Sequence, residues 1–147
     1  MINVLSGIDS TASALDAERV RMDVISQNIA NVNTTRGLDG KPYQRQEVVF
    51  ENVLKAQQSS LDSNLVSGSS PEMVQIARIQ KDNRPARMVY NPGSPDADAH
   101  GMVAMPDINI HEEMVDMIAS SRSYEANLAV AKNAHSIAMQ ALSIGKH

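Results

Sequence analysis

The chain has 147 residues, enough for one ordinary domain, and 42% of them are hydrophobic, yet only 3% are aromatic and there is no Trp and no Cys. A formal net charge of −4 argues against nucleic acid as a partner, because phosphate binding needs a basic face. Lack of Cys excludes disulfides, thiolate metal sites and cysteine nucleophiles, and the Met- and Ala-rich apolar content favours helix seams over a thick aromatic core.

The N-terminal stretch MINVLSGIDSTAS has neither the basic region nor the continuous apolar run of a cleaved signal peptide. No run of roughly 18 apolar residues is present to span a bilayer. Instead Ile8, Leu15, Met22 and Ile29 recur every seven residues. Val4, Ile25 and Val32 form an offset row, with Thr11 and Glu18 as its gaps. This period predicts a helix from about residue 5 to about residue 32 that supercoils against a partner. Its end, SQNIANVNTT, is crowded with side chains that compete for backbone hydrogen bonds. Asn33, Thr34 and Thr35, followed by Gly37, read as a helix stop. Asn28 and Asn31 lie three apart while the seam is still running and read as hydrogen-bonding contacts between subunits. The Asn33–Thr35 match to a glycosylation acceptor is coincidental without a secretory signal.

All six prolines fall between residues 42 and 106, and Gly37, Gly40, Gly68, Gly93 and Gly101 occupy nearly the same window. The chain therefore divides into an N-terminal helix (1–36), a β- and turn-rich middle (37–107) and a C-terminal helix (108–147). Within the middle, Asp39-Gly40 marks a turn and QEVVFE reads as a strand. The Ser- and Gln-rich stretch near 56–70 reads as a mobile loop. MVQIARI, ARMVY and MVAM read as further strands, with NPGSPDADAHG as a turn-rich connector.

In the last segment Met114, Met117, Ser121, Tyr124, Leu128, Ala131, His135, Ala138 and Leu142 follow alternating spacings of three and four. Val130, Ile137 and Ile144 make a second row, so this helix asks for more than one neighbour. Arg122, Glu125 and Asn127 read either as an ordinary exposed face or as directional contacts to a neighbour.

No nucleophile elbow, dinucleotide turn or phosphate loop occurs. His100, His111, His135 and His147 lack the second histidine that a helical zinc site needs. Glu112 and Glu113 point about 100° apart on a helix and read as partners of its N-terminal dipole. Asp96 and Asp98 read as a solvated turn without the rest of a calcium loop. One seam against one helix does not offset the ordering of so many residues, so the terminal helices are expected to need neighbouring subunits. A small acidic export chaperone or coiled-coil adaptor is the alternative; a hydrolase would need a deep pocket with converging polar groups.

NIANVNTTRG at the end of the first helix resembles the shared N-terminal motif of bacterial flagellar rod, hook and hook-associated proteins. EEMVDMIASSRSYEANLAVAKNAHSIAMQALSIGK resembles the C-terminal partner of that motif. GKPYQRQEVVFENV and ARMVYNPGSPDADAHGMVAMPDINIHEEMV are similar to the short proximal-rod members of the family. The resemblance implies a mainly α fold whose terminal helices pack as a coiled coil around a small β insert. It implies a structural subunit of a torque-transmitting rod, with no cofactor, metal or catalytic residue. The other proximal and distal rod proteins and the adaptor to the membrane ring are the implied partners. Passage through the flagellar type III export apparatus without a cleaved signal, to a rod crossing the periplasm, is the implied route. The residues expected at assembly interfaces are Ile8, Leu15, Met22, Ile25, Asn28, Ile29, Asn31 and Val32 in the first helix. In the second they are Met114, Met117, Arg122, Tyr124, Glu125, Asn127, Leu128 and Ile137.

Overall fold

With Pro confined to the middle, each end of the chain runs as one uninterrupted helix. In the computed structural model, which describes residues 2–54 and 72–144, α1 spans Ile2–Ala30 and α2 spans Ile110–Ile144. At the usual helical rise these are about 43 and about 52 Å long. α1 stops where Asn31 folds back on it. The Asn31 amide donates to the Gln27 carbonyl (2.8 Å), and its Oδ1 accepts from the Thr34 hydroxyl (3.1 Å). α2 starts at an Asn109 cap, whose Oδ1 accepts from the His111 N–H (3.1 Å).

Among the described residues two antiparallel two-stranded ribbons lie between the helices, so the chain is mainly helical with a small β middle. β1 (Gln46–Leu54) pairs with β2 (Glu72–Lys81), from Gln46↔Lys81 to Leu54↔Glu72. A bulge falls where Val49↔Arg78 gives way to Phe50↔Ile76. Residues paired across a ladder share a face, so Val48 with Ile79 and Phe50 with Ile76 form an apolar stripe. α1 packs against both strands of this ribbon. β3 (Arg87–Tyr90) pairs with β4 (Met102–Met105), from Arg87↔Met105 to Tyr90↔Met102. The expected loop near 56–70 lies outside the described residues, as does His147.

α1 and α2 lie side by side, the C-terminal end of the first meeting the N-terminal end of the second. Ala17, Val24 and Ile25 of α1 are buried, with Val103 of β4 and Ile108 just before α2. The expected seam of Ile8, Leu15, Met22 and Ile29 is only half-buried, because the fully covered face of α1 is centred on Ala17, Val24 and Asn28. The α2 seam is corrected as well. Met117, Ser121, Tyr124, Leu128, Ala131 and Ala138 are half-buried as expected, but the fully buried positions are Glu113 and Ser120, and Ala134 rather than His135 is covered further along. Met114, expected in the seam, is 52% exposed. Heptad spacing weights the largest apolar side chains, whereas the fully buried positions of the two helices include the small or polar Ala17, Asn28, Glu113 and Ser120.

The connector between β3 and β4 turns on Gly101, at φ 78°, in the left-handed region that favours glycine. A Cβ there would lie 3.0 Å from Tyr90 Cε2 and 3.2 Å from Pro92 Cβ. Gly101→Ala should therefore destabilise the protein by about 1–2 kcal/mol. Gly93→Ala, whose Cβ would meet only Asn91 Oδ1 at 3.8 Å, should change stability much less. Thermal melts of the two variants check the contrast.

Candidate functional site

The least accessible polar side chains are Asn28, Glu113 and Ser120, each 1% exposed. Burying a carboxylate is unfavourable unless charge and hydrogen bonds compensate it. Glu113 has both. Its Oε1 accepts from Arg45 Nε at 2.6 Å, a charge-assisted bond, and its Oε2 accepts from Asn28 Nδ2 at 3.0 Å. Arg45 sits just before β1, so this junction joins α1, α2 and the entry to the middle segment.

Asn28 completes the junction. Its amide also donates to the Gln46 carbonyl (2.9 Å), and its Oδ1 accepts from the Gln46 N–H (2.9 Å) and the Tyr43 hydroxyl (3.0 Å). Two donors and two lone pairs are thus all used within the chain. The expectation that Asn28 makes hydrogen bonds to another subunit is corrected, since nothing on its amide is left to give. Asn31, three residues on, bonds only its own helix end and Thr34. The pairing of Glu112 with Glu113 as dipole partners also splits: Glu112 is exposed, and Glu113 serves the junction.

A looser shell of charge surrounds Arg45, with Asp82 at 4.0 Å and Asp116 at 4.0 Å. The Asp82 N–H donates to the Arg45 carbonyl at 2.7 Å. Hydrogen bonds from the Arg84 side chain and backbone hold the Asp82 carboxyl below its usual range. Arg84 also reaches Asp107 at 3.5 Å. An open cleft of about 570 Å³ runs past Tyr43, Arg45, Lys81, Asp82, Arg84 and Asp107, and the charges of Arg45, Asp82, Arg84 and Asp107 on its wall are already paired. Asp96 is half-buried rather than solvated: it accepts from the Thr35 hydroxyl at 2.7 Å and lies 3.7 Å from Arg36. It fastens the tail of α1 to the β3–β4 connector. Asp98 does form an exposed turn, accepting from the N–H groups of His100 and Met102.

The residues named from the sequence scatter across three environments. Ile25 and Asn28 are buried. Ile8, Leu15, Met22, Ile29, Asn31, Val32, Met117, Tyr124, Asn127 and Leu128 are half-buried. Met114, Arg122, Glu125 and Ile137 are exposed. Sequence reasoning missed Tyr43, Arg45 and the role of Glu113. Only the run YQRQEVV, a lone arginine directly before an apolar strand, hinted at Arg45. Among the described residues no group of three metal-capable side chains gathers.

Two expectations follow. Arg45→Ala strands the buried Glu113 carboxylate and should cost about 3 kcal/mol or more, whereas Asp82→Asn, on a more accessible pair, should cost less than about 1 kcal/mol in urea melts. Burial, with the Glu113 carboxylate behind it, raises the Tyr43 phenol above its ordinary value of 10.0. The folded phenol keeps its proton longer than the unfolded one, so its contribution is complete below pH 10.0 and fades as pH rises through the folded value. Stability should fall more steeply from pH 10.0 up to the folded value in the wild type than in Tyr43→Phe.

Comparison with known proteins agrees with this architecture at both ends of the chain. A family described as flagella basal body rod protein matches residues 8–36, and one described as flagellar basal body rod FlgEFG protein C-terminal matches residues 99–144. The chain is 39% identical to the flagellar basal-body rod protein FlgC of Borreliella burgdorferi, over 97% of this chain and 98% of that one. It is 40% identical to FlgC of Bacillus subtilis, over 95% of this chain and 96% of that one. It is 37% identical to FlgC of Yersinia enterocolitica, over 99% and 100% respectively.

Proposed function

The chain belongs to the FlgC family of flagellar basal-body rod proteins, structural subunits rather than enzymes, and we propose that it builds the proximal rod through its two terminal helices. The observation that carries this reading is identity of 37–40% along nearly the whole length of rod proteins, with no large insertion between the helices.

The outward face of α2 supports assembly through the helices. Val130, Ile137 and Ile144, spaced by seven, are 55%, 61% and 77% exposed in the single chain. Such a row along one long helix is an unfilled packing surface. Packed as a coiled coil with helices of neighbouring subunits, it would form the inner layer of a tube that carries torque. A division into an N-terminal segment (1–36), a middle segment (37–107) and a C-terminal segment (108–147) would then separate the assembling parts from an outer part. The other proximal and distal rod proteins and the adaptor to the membrane ring are the partners proposed for these surfaces. The type III export apparatus is the partner proposed in transit to a rod crossing the periplasm. Among the described residues no helix is long and apolar enough to cross a membrane.

Ile137→Asp changes an exposed side chain and should leave the circular dichroism of the purified chain unchanged. In cells it should abolish rod assembly and swimming, because assembly would bury the new charge. Ile29→Asp should do the same, and Asn31→Ala, which removes only a local helix-end bond, should be milder. Normal swimming with both aspartate variants would contradict the proposal.

A further inference from the structure

We infer that the Glu113 junction is a register lock, which selects one alignment of α2 against α1 at the expense of some stability. The helix seam cannot make that selection. On α1 the buried Ala17 and Val24 are seven residues apart, and on α2 the half-buried Met117, Tyr124, Ala131 and Ala138 repeat at the same interval. A slip of one heptad, about 10 Å along the axis, would bring similar small and medium side chains back into contact.

The junction breaks this degeneracy. One heptad beyond Glu113 stands Ser120, equally buried, whose Oγ has no hydrogen-bond partner. Slipped into place beneath Arg45 and Asn28, Ser120 would offer a short neutral hydroxyl where a carboxylate now accepts from both. Two heptads on stands Asn127, which carries no charge. Only Glu113 has the reach and the charge to accept from Arg45 Nε at 2.6 Å and Asn28 Nδ2 at 3.0 Å together. Every slipped alignment leaves Arg45 without its closest carboxylate. A polar group buried in a helix seam selects register in this way, and replacing a buried ion pair by apolar side chains is often neutral or stabilising.

The chain has no Cys, so spin labels can be placed without removing any. Labels on Asp23→Cys in α1 and Ala126→Cys in α2, both at exposed positions, report alignment through a dipolar distance measurement. With the native junction a single narrow distance is expected. With Glu113→Leu and Arg45→Met together, the thermal midpoint should be equal or higher. A second distance population should then appear, displaced by up to one heptad's rise of about 10 Å. A double variant that keeps one narrow distance would overturn the lock. So would a double variant that fails to fold, which would make the junction a source of stability, or a native junction already showing several distances.

Discussion

A carboxylate almost out of reach of water, that of Glu113, holds this protein's three segments to one point. It meets Arg45 ahead of β1 and Asn28 near the end of α1, and Asn28 in turn holds the backbone of Gln46 at both its N–H and its carbonyl. The sequence separations are 68 and 85 residues for the two contacts of Glu113, so one side chain closes two long loops. Asp82 and Asp116 extend the field around Arg45, but they stand 4.0 Å away and more accessible to solvent. They modulate the junction, while Glu113 and Asn28 form it.

Beyond the junction the covering thins. Among the described residues, those buried on α1 lie between Ala17 and Asn28, and those on α2 are Glu113 and Ser120, all in the halves that meet at the junction. Toward the end of α2, Ile137, Leu142 and Ile144 have most of their surface in water. A helix of about 52 Å anchored at one end and uncovered at the other is unusual for a self-sufficient domain. It is the shape expected of a subunit that finishes its packing on its neighbours. The scarcity of aromatic residues belongs to the same economy, since a seam of Ala, Ser and Met lets long helices approach closely.

Much of this was legible in the sequence. Proline confined to the middle gave both helices, and MVAM became β4 at its own limits, Met102–Met105. β-branched runs placed β1, β2 and β3. The detail that failed was which face of each helix is covered. A heptad search weights large apolar residues, so it chose Met114 and passed over Glu113 and Ser120. Charged and small residues in a buried seam carry no hydrophobic signal, and their burial depends on partners far away in sequence. Asn28 stands out in the sequence because an amide suits a helix interior poorly and it lies beside the seam while the seam still runs. Its partners were placed in another subunit because Tyr43, Gln46 and Glu113 are brought to it only by the fold.

A density map of the assembled rod, at a resolution that shows side chains, tests this account most directly. It should show Glu113 bonded to Arg45 and Asn28 of its own subunit, with neighbouring helices covering Val130, Ile137 and Ile144. Glu113 paired across a subunit boundary, or those three residues facing open solvent, would contradict it.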